Sequence, residues 1–284
     1  MNPYSKLVAD FARIVAEGRS LPLGGFKGTP RPEIAPDAPK ALFFAPHPDD
    51  ETIQGGLALR LLREAKWNVI DIAVTLGSNV ERKAPRWQEL RAACDYLGFG
   101  LEAAAPDGLA NVRPATRGKD QQAWGQMVEI IAALLKKHQP RAIFFPHELD
   151  WNGTHIGVHL LVMDALKAAP VAHCYLIETE FWGQMQTPNL VVEYSDEVVA
   201  DLAAATSFHA GEVRRNPYHL LIPAWMQDNV RRGAELVGGQ GGAAPQFMFA
   251  QIYRAREWDG SQSREYFAGG RFLPASENPA TLFP

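Results

Sequence analysis

At 284 residues, with a formal net charge of -4 and 21% charged side chains, the chain has no surplus of Lys and Arg for tracking a phosphate backbone, so no nucleic-acid partner is expected. Apolar residues make up 46% of it, enough for the core of one large α/β domain or two small ones. The two cysteines, Cys94 and Cys174, lie far apart in apolar surroundings and read as buried thiols of a reducing compartment, not as a disulfide framework or zinc knuckle.

Residues 1–18 form a short amphipathic helical pattern, and Lys6, Asp10, Arg13 and Glu17 within it exclude the uncharged core of a signal peptide. No apolar run is long enough to span a bilayer, so no membrane span is expected and the cytoplasm is the default location. The stretch from Leu21 to Pro39 holds five prolines and three glycines and reads as an irregular lead-in.

From Lys40 onward, strand-type runs alternate with helical patterns. The strands fall at Ala41 to Ala45, Asn68 to Thr75, Ala142 to Phe145 and Ala172 to Glu178. The helices between them cover Thr52 to Ala65, Arg86 to Leu97, Gln122 to His138 and Ile156 to Ala168. Such alternation predicts an α/β fold, a Rossmann-like and mostly parallel sheet with helices on both faces, because each parallel pair needs a long crossover. After Pro188 the pattern changes to a smaller α+β portion. It has strands at Leu190 to Glu193 and Phe247 to Ala255, and helices at Val198 to Ala205 and Trp225 to Val237. The expected organisation is thus a lead-in over 1–39, a core over 40–188, and a portion over 189–284 that completes the same domain and covers the cleft.

Ligands of such sheets sit outside the carboxyl ends of the strands. The first strand ends there in Ala45-Pro46-His47-Pro48-Asp49-Asp50-Glu51-Thr52, where one histidine and three carboxylates occupy five positions. Adjacent carboxylates repel one another unless a cation or strong solvation offsets it, and His47 and Asp50 are spaced to share an ion. The alternative is a solvated loop in which Asp49, Asp50 or Glu51 caps the next helix. The third strand runs into His147-Glu148-Leu149-Asp150-Trp151-Asn152-Gly153-Thr154-His155 at the same edge, with His159 one helical turn further on.

In these two loops the sequence resembles the LmbE-like or PIG-L family of zinc N-deacetylases, marked by an Ala-x-His-Pro-Asp-Asp-Glu loop after the first strand and a later histidine motif. Ala45 to Glu51 matches the first mark without a gap, and weaker matches follow in order at Val74-Thr75-x-Gly77, Arg86-x-x-Glu89 and Leu97-Gly98. The resemblance implies that His47, Asp50 and His155 bind one Zn2+ per chain, and that Asp49 is the general base. It also implies removal of an N-acetyl group from an amino sugar or related small conjugate. A zinc ion with three protein ligands can lower the pKa of water in its open position to about 7, and iron or cobalt would suit the same donors.

One position departs from the family pattern. Where many relatives read His-Pro-Asp-His, this chain has Asn152-Gly153-Thr154-His155, and an amide can donate a hydrogen bond but cannot deliver a proton. The general acid is then Asp49 returning its proton, or His147 or His159. The same gap leaves open a metal-dependent carbohydrate-binding protein without turnover, and an amidase of larger acyl or thiol conjugates is the nearer alternative. Expected substrate contacts are Asn79 and Arg82 after the second strand, Trp151 and His147 beside the metal motif, and Tyr218 in a polar lid segment from Phe208 to His219. Glu51 is expected to cap its helix or to orient His47 or His155. Related proteins often assemble as homo-oligomers, so association of chains is expected too.

Overall fold

The computed structural model describes residues 2–284. The first helix, α1 (Ser5–Gly18), buries none of its residues, and Leu7, Val8, Phe11 and Ile14 are exposed on the single chain. The chain then enters β1 (Lys40–Ala45), whose residues from Ala41 on are completely covered. A continuous apolar run of this kind is what a strand packed on both faces requires.

The elements that follow are α2 (Asp50–Ile53), α3 (Gly56–Ala65), β2 (Asn68–Ala73), α4 (Val80–Leu97), β3 (Gly100–Ala103), α5 (Pro114–Lys119), α6 (Gln121–His138), β4 (Ala142–Pro146), α7 (Gly153–Ala168) and β5 (Cys174–Thr179). Next come β6 (Leu190–Tyr194), α8 (Asp196–Ser207), α9 (Ala210–Val213), α10 (Tyr218–Leu236), β7 (Phe249–Trp258), β8 (Ser263–Glu265) and β9 (Arg271–Leu273). The nine strands among the described residues join one sheet, in the order β3-β2-β1-β4-β5-β7-β6-β9 with β8 beside β7. The strands from β3 to β5 pair in parallel, whereas β7 runs antiparallel between β5 and β6. Apolar clusters fill both faces, one beneath α3, α4 and α8 and the other beneath α6 and α7.

The expected parallel α/β sheet is therefore present, and its order decides where chemistry can sit. From β1 the chain steps to β2 on one side, while β4 lies on the other, so the loops after β1 and β4 diverge over a switch-point crevice.

Several elements differ from expectation. The helix read from Thr52 to Ala65 is broken into α2 and α3 at Gly55 and Gly56. A Cβ at Gly55 would stand 2.0 Å from the Glu51 carbonyl oxygen, and one at Gly56 would stand 2.5 Å from the Tyr194 ring. The helices read from Arg86 and Trp225 begin earlier, at Val80 and Tyr218, and carry Pro85 and Pro223 inside them. Proline forfeits one backbone bond there; in α4 the Asn79 side chain, accepting from the Glu81 N–H, supplies a cap. The short edge strand β3 and the three-residue β8 and β9 offer too few residues for a period to show. Cys94 and Cys174 are both free and buried, and among the described residues no helix is long and apolar enough to cross a membrane.

Candidate metal centre

After Ala45 the backbone turns sharply: the Asp50 N–H donates to the His47 carbonyl, and the His47 N–H donates to Asp50 Oδ2 at 2.8 Å. This local ring holds the carboxylate of Asp50 beside the His47 imidazole. Across the crevice, Asn152 caps α7 by accepting the Thr154 N–H at 2.8 Å, which sets His155 in the first helical turn, wholly buried.

The two loops bring three donor atoms together. His47 Nδ1 is 3.2 Å from His155 Nε2, and Asp50 Oδ2 is 3.5 Å from the first and 3.4 Å from the second. Tetrahedral zinc with bonds of about 2.0–2.1 Å requires ligand atoms roughly 3.3–3.4 Å apart, so the spacing fits the ion. Burial pushes the His47 imidazole below its ordinary value. Burial acts the same way on His155, but the carboxylates of Asp50 and Asp150 outweigh it and raise that group to about 9. Burial opposes ionisation of Asp50 as well, yet His155 and His47 together hold its carboxyl below the usual range.

A second layer fixes these groups. Asp150 accepts the N–H groups of Asn152 at 2.8 Å, Trp182 at 3.1 Å and Gly183 at 3.3 Å, and its Oδ2 lies 3.7 Å from His155 Nδ1. A carboxylate behind a ligating imidazole orients the ring and fixes its tautomer. Glu51 does not take that part. Its carboxylate accepts the Asp49 N–H at 2.9 Å and meets His209 Nε2 at 2.8 Å, both partners being buried. Asp49 itself is held at φ 119°, a left-handed conformation that a non-glycine residue keeps only when its surroundings impose it. Burial and the neighbouring Asp50 push its carboxyl well above the ordinary range, while Arg86, at 3.9 Å, pulls the other way.

His47, Asp49, Asp50 and Asn152 line a cleft of about 250 Å³ that Arg86, Trp182, Glu212 and Tyr218 close on the far side. A larger cavity of about 640 Å³ lies beside α10, lined by Gln227, Arg231 and Glu235, and holds no histidine.

Of the residues singled out from sequence, His47, Asp49, Asp50, His155, Asn152 and Tyr218 gather at this centre. Five others do not line its cleft. Arg82 turns instead to Glu89 at 3.7 Å and Glu212 at 3.9 Å, and Asn79 is occupied as the cap of α4. Trp151 points to solvent, 84% exposed. The His147 ring is spent on the Gly183 carbonyl at 2.7 Å and the Leu149 N–H at 3.3 Å. His159, about 6 Å further along α7 than His155, meets the Pro146 carbonyl at 3.0 Å and Glu148 at 3.6 Å. His209, read as part of a polar lid, is instead buried against Glu51, 158 positions away in sequence, and no local pattern could announce that pairing.

No curated protein matches the sequence. The solved structures that share its fold include three of note. N,N'-diacetylchitobiose deacetylase from Pyrococcus horikoshii has 15% identity and a TM-score of 0.57, with 92% of this chain and 96% of that one covered. The A40926 pseudoaglycone deacetylase Dbv21 has 16% identity and a TM-score of 0.57, covering 80% and 100%. GalB, the 4-carboxy-2-hydroxymuconate hydratase of Pseudomonas putida KT2440, has 16% identity and a TM-score of 0.59, covering 76% and 95%. Identities this low speak for the fold alone, and one fold here carries two kinds of reaction, so the chemistry has to be argued from the site. The model of the family PIG-L, GlcNAc-PI de-N-acetylase, matches residues 42–166, the segment that runs from β1 through α7 and contains all three donors. Over residues 42–166 the chain is thus similar to the PIG-L family, and it shares its fold with two deacetylases.

Proposed function

We propose that the chain is a metal-dependent hydrolase that removes an N-acetyl group from an amino sugar or a related small conjugate. His47, Asp50 and His155 hold one zinc ion, and Asp49 is the general base. The observation that carries this reading is the spacing of the three donor atoms, 3.2, 3.4 and 3.5 Å apart as tetrahedral zinc requires, beside a second carboxylate, Asp49, that lines the same cleft.

Zinc, when bound, supplies a Lewis acid that polarises the amide carbonyl and makes water more acidic. The rest falls to side chains. Asp49 takes a proton from the attacking water as its oxygen bonds to the carbonyl carbon, then passes that proton to the leaving nitrogen as the carbon–nitrogen bond breaks. The products are acetate and a free amine. Asn152 Oδ1 is tied to the Thr154 N–H, which leaves its amide N–H groups to steady the oxyanion or the departing nitrogen in the cleft. His147 and His159 are not among the residues that line the cleft, which favours return of the proton by Asp49. Trp182 and Tyr218, with ring centroids 5.1 Å apart, form an aromatic wall suited to the apolar face of a sugar ring.

Metal analysis together with acetate release from a panel of N-acetylated amino sugars tests the reading. Wild type and Asp49→Asn should each hold about one equivalent of zinc, and the variant should lose at least about 100-fold in rate. Undiminished activity of the variant would remove Asp49 as base, and absence of metal from both would remove the hydrolase. Zinc without acetate release from any sugar would shift the substrate to a larger acyl or thiol conjugate, or the chain to a binding role.

A further inference from the structure

The left-handed conformation of Asp49 is held from outside its own loop, and from both sides of the residue. On one side the Asp49 N–H donates to Glu51 Oε2 at 2.9 Å, and Glu51 Oε1 accepts the Nε2–H of His209 at 2.8 Å. On the other side the Asp49 carbonyl accepts the Thr52 hydroxyl at 2.8 Å, and that hydroxyl lies 2.9 Å from Thr206 Oγ1. Both relays end at the C-terminal end of α8, and Glu51, Thr52, Thr206 and His209 are all wholly buried. The corner that carries Thr206 and His209 is itself anchored to α4. The Gly211 N–H donates to Glu89 at 3.0 Å, and the Phe208 ring packs on Tyr96 with centroids 5.3 Å apart. This corner lies beyond residues 42–166, the segment similar to the PIG-L family.

Two features separate the arrangement from ordinary core packing. Among the described residues His209 Nδ1 has no hydrogen-bond partner, so the ring's one bond goes to Glu51, and burying an imidazole with a nitrogen unpaired is costly. Asp49, at φ 119°, keeps a conformation that persists in a non-glycine residue only where the surroundings overdetermine it. We propose that His209 and Thr206 are positioning residues for the reaction: through Glu51 and Thr52 they fix the Asp49 backbone and so aim its carboxylate into the cleft. Neither of them lines that cleft. A general base must stand within hydrogen-bond reach of the proton it takes, and a displacement of about 1 Å can cost about 100-fold in rate. This inference rests on the hydrolase reading above and names what holds its base.

Two pairs of variants test it, each setting loss of a hydrogen bond against its retention: His209→Leu against His209→Gln, and Thr206→Val against Thr206→Ser. On the N-acetylated amino sugar that the wild type turns over fastest, His209→Leu and Thr206→Val should lose at least about tenfold in kcat, with KM within about twofold. Both should keep about one equivalent of zinc. His209→Gln and Thr206→Ser should recover most of the loss. Crystal structures of the four variants give a second readout: Asp49 should leave positive φ in His209→Leu or Thr206→Val and keep it in the other two. Unchanged kcat in His209→Leu and Thr206→Val, equal losses in the conservative partners, or a loss that follows zinc content or KM would overturn the proposal while leaving the hydrolase intact. Should His209→Leu fail to fold, Thr206→Val, which keeps the branched shape of threonine, decides alone. If the wild type turns over no sugar, the hydrolase reading fails and the crystal structures decide separately. Release of Asp49 from positive φ then upholds the clamp, and an unchanged Asp49 overturns it.

Discussion

Two clusters of histidine and carboxylate lie one helical turn apart along α7, and their surroundings differ in charge. His155 joins His47 and Asp50, while His159 joins Glu148 and Glu178, and in each cluster three donor atoms lie within 4.8 Å of one another. The first opens on a cleft, and among the described residues no lysine or arginine pairs with its carboxylate, Asp50. The second already contains its positive charge: Arg254 is 3.4 Å from Glu148 and 3.8 Å from Glu178, and Arg256 is 3.2 Å from Glu178. A divalent ion there would meet two guanidinium groups. Convergence of donors is therefore not enough to make a metal centre; the charge standing around them decides whether a cation is missing or already supplied.

The largest effect that could break this contrast is on metal content. His155→Ala should lower zinc from about one equivalent to a small fraction of it, because two ligands seldom retain the ion, whereas His159→Ala should leave it in place. Elemental analysis of both variants is the check, and equal losses would erase the distinction between the clusters.

A smaller effect concerns stability. Arg256→Met leaves the buried carboxylate of Glu178 short of one partner, at a cost of about 3 kcal/mol where that group is ionised. Burial, then the negative charge of Glu148, raises Glu178 to about 7 in spite of Arg256 and Arg254. The cost of the substitution should consequently shrink at lower pH, where Glu178 takes up a proton. Denaturant titrations at two pH values would show it, and a cost independent of pH would contradict the pairing.

The smallest effect is in the pH profile of the intact protein. Since the folded value of Glu178 is raised, its contribution to stability is complete below the ordinary 4.5 and is lost as pH rises through about 7. His159, lowered to about 4 chiefly by burial, contributes in the opposite sense: fully above 6.5, lost as pH falls through about 4. Glu178→Gln should thus flatten the melting temperature on the neutral side while leaving the acid limb of His159. An unchanged slope near neutral pH would assign that limb to another group.

Much of this architecture can be read along the chain. Apolar runs such as Leu42 to Ala45 and Ile143 to Phe145 declare strands covered on both faces, and their alternation with helical periods forces parallel crossovers. The loop from His47 to Glu51 follows β1 without a gap, so the sheet edge it occupies is set by covalent connection, and Asn152 and His155 follow β4 in the same way.

What tertiary structure alone decided is every relation between groups that the backbone does not link closely. The insertion of β7 between β5 and β6 is a pairing across long stretches of sequence, invisible to a local period. Glu51 finds His209 because α8 packs against α2, and Arg254 and Arg256 on β7 find Glu178 on β5 because the sheet aligns them. Asn79, Trp151, Arg82 and His159 have the right chemistry at the right edge, but side-chain direction turned each of them elsewhere. Sequence determined which elements form and which loops carry donors, since those depend on neighbours a few residues apart; the charge balance around each cluster depends on residues brought together only by packing.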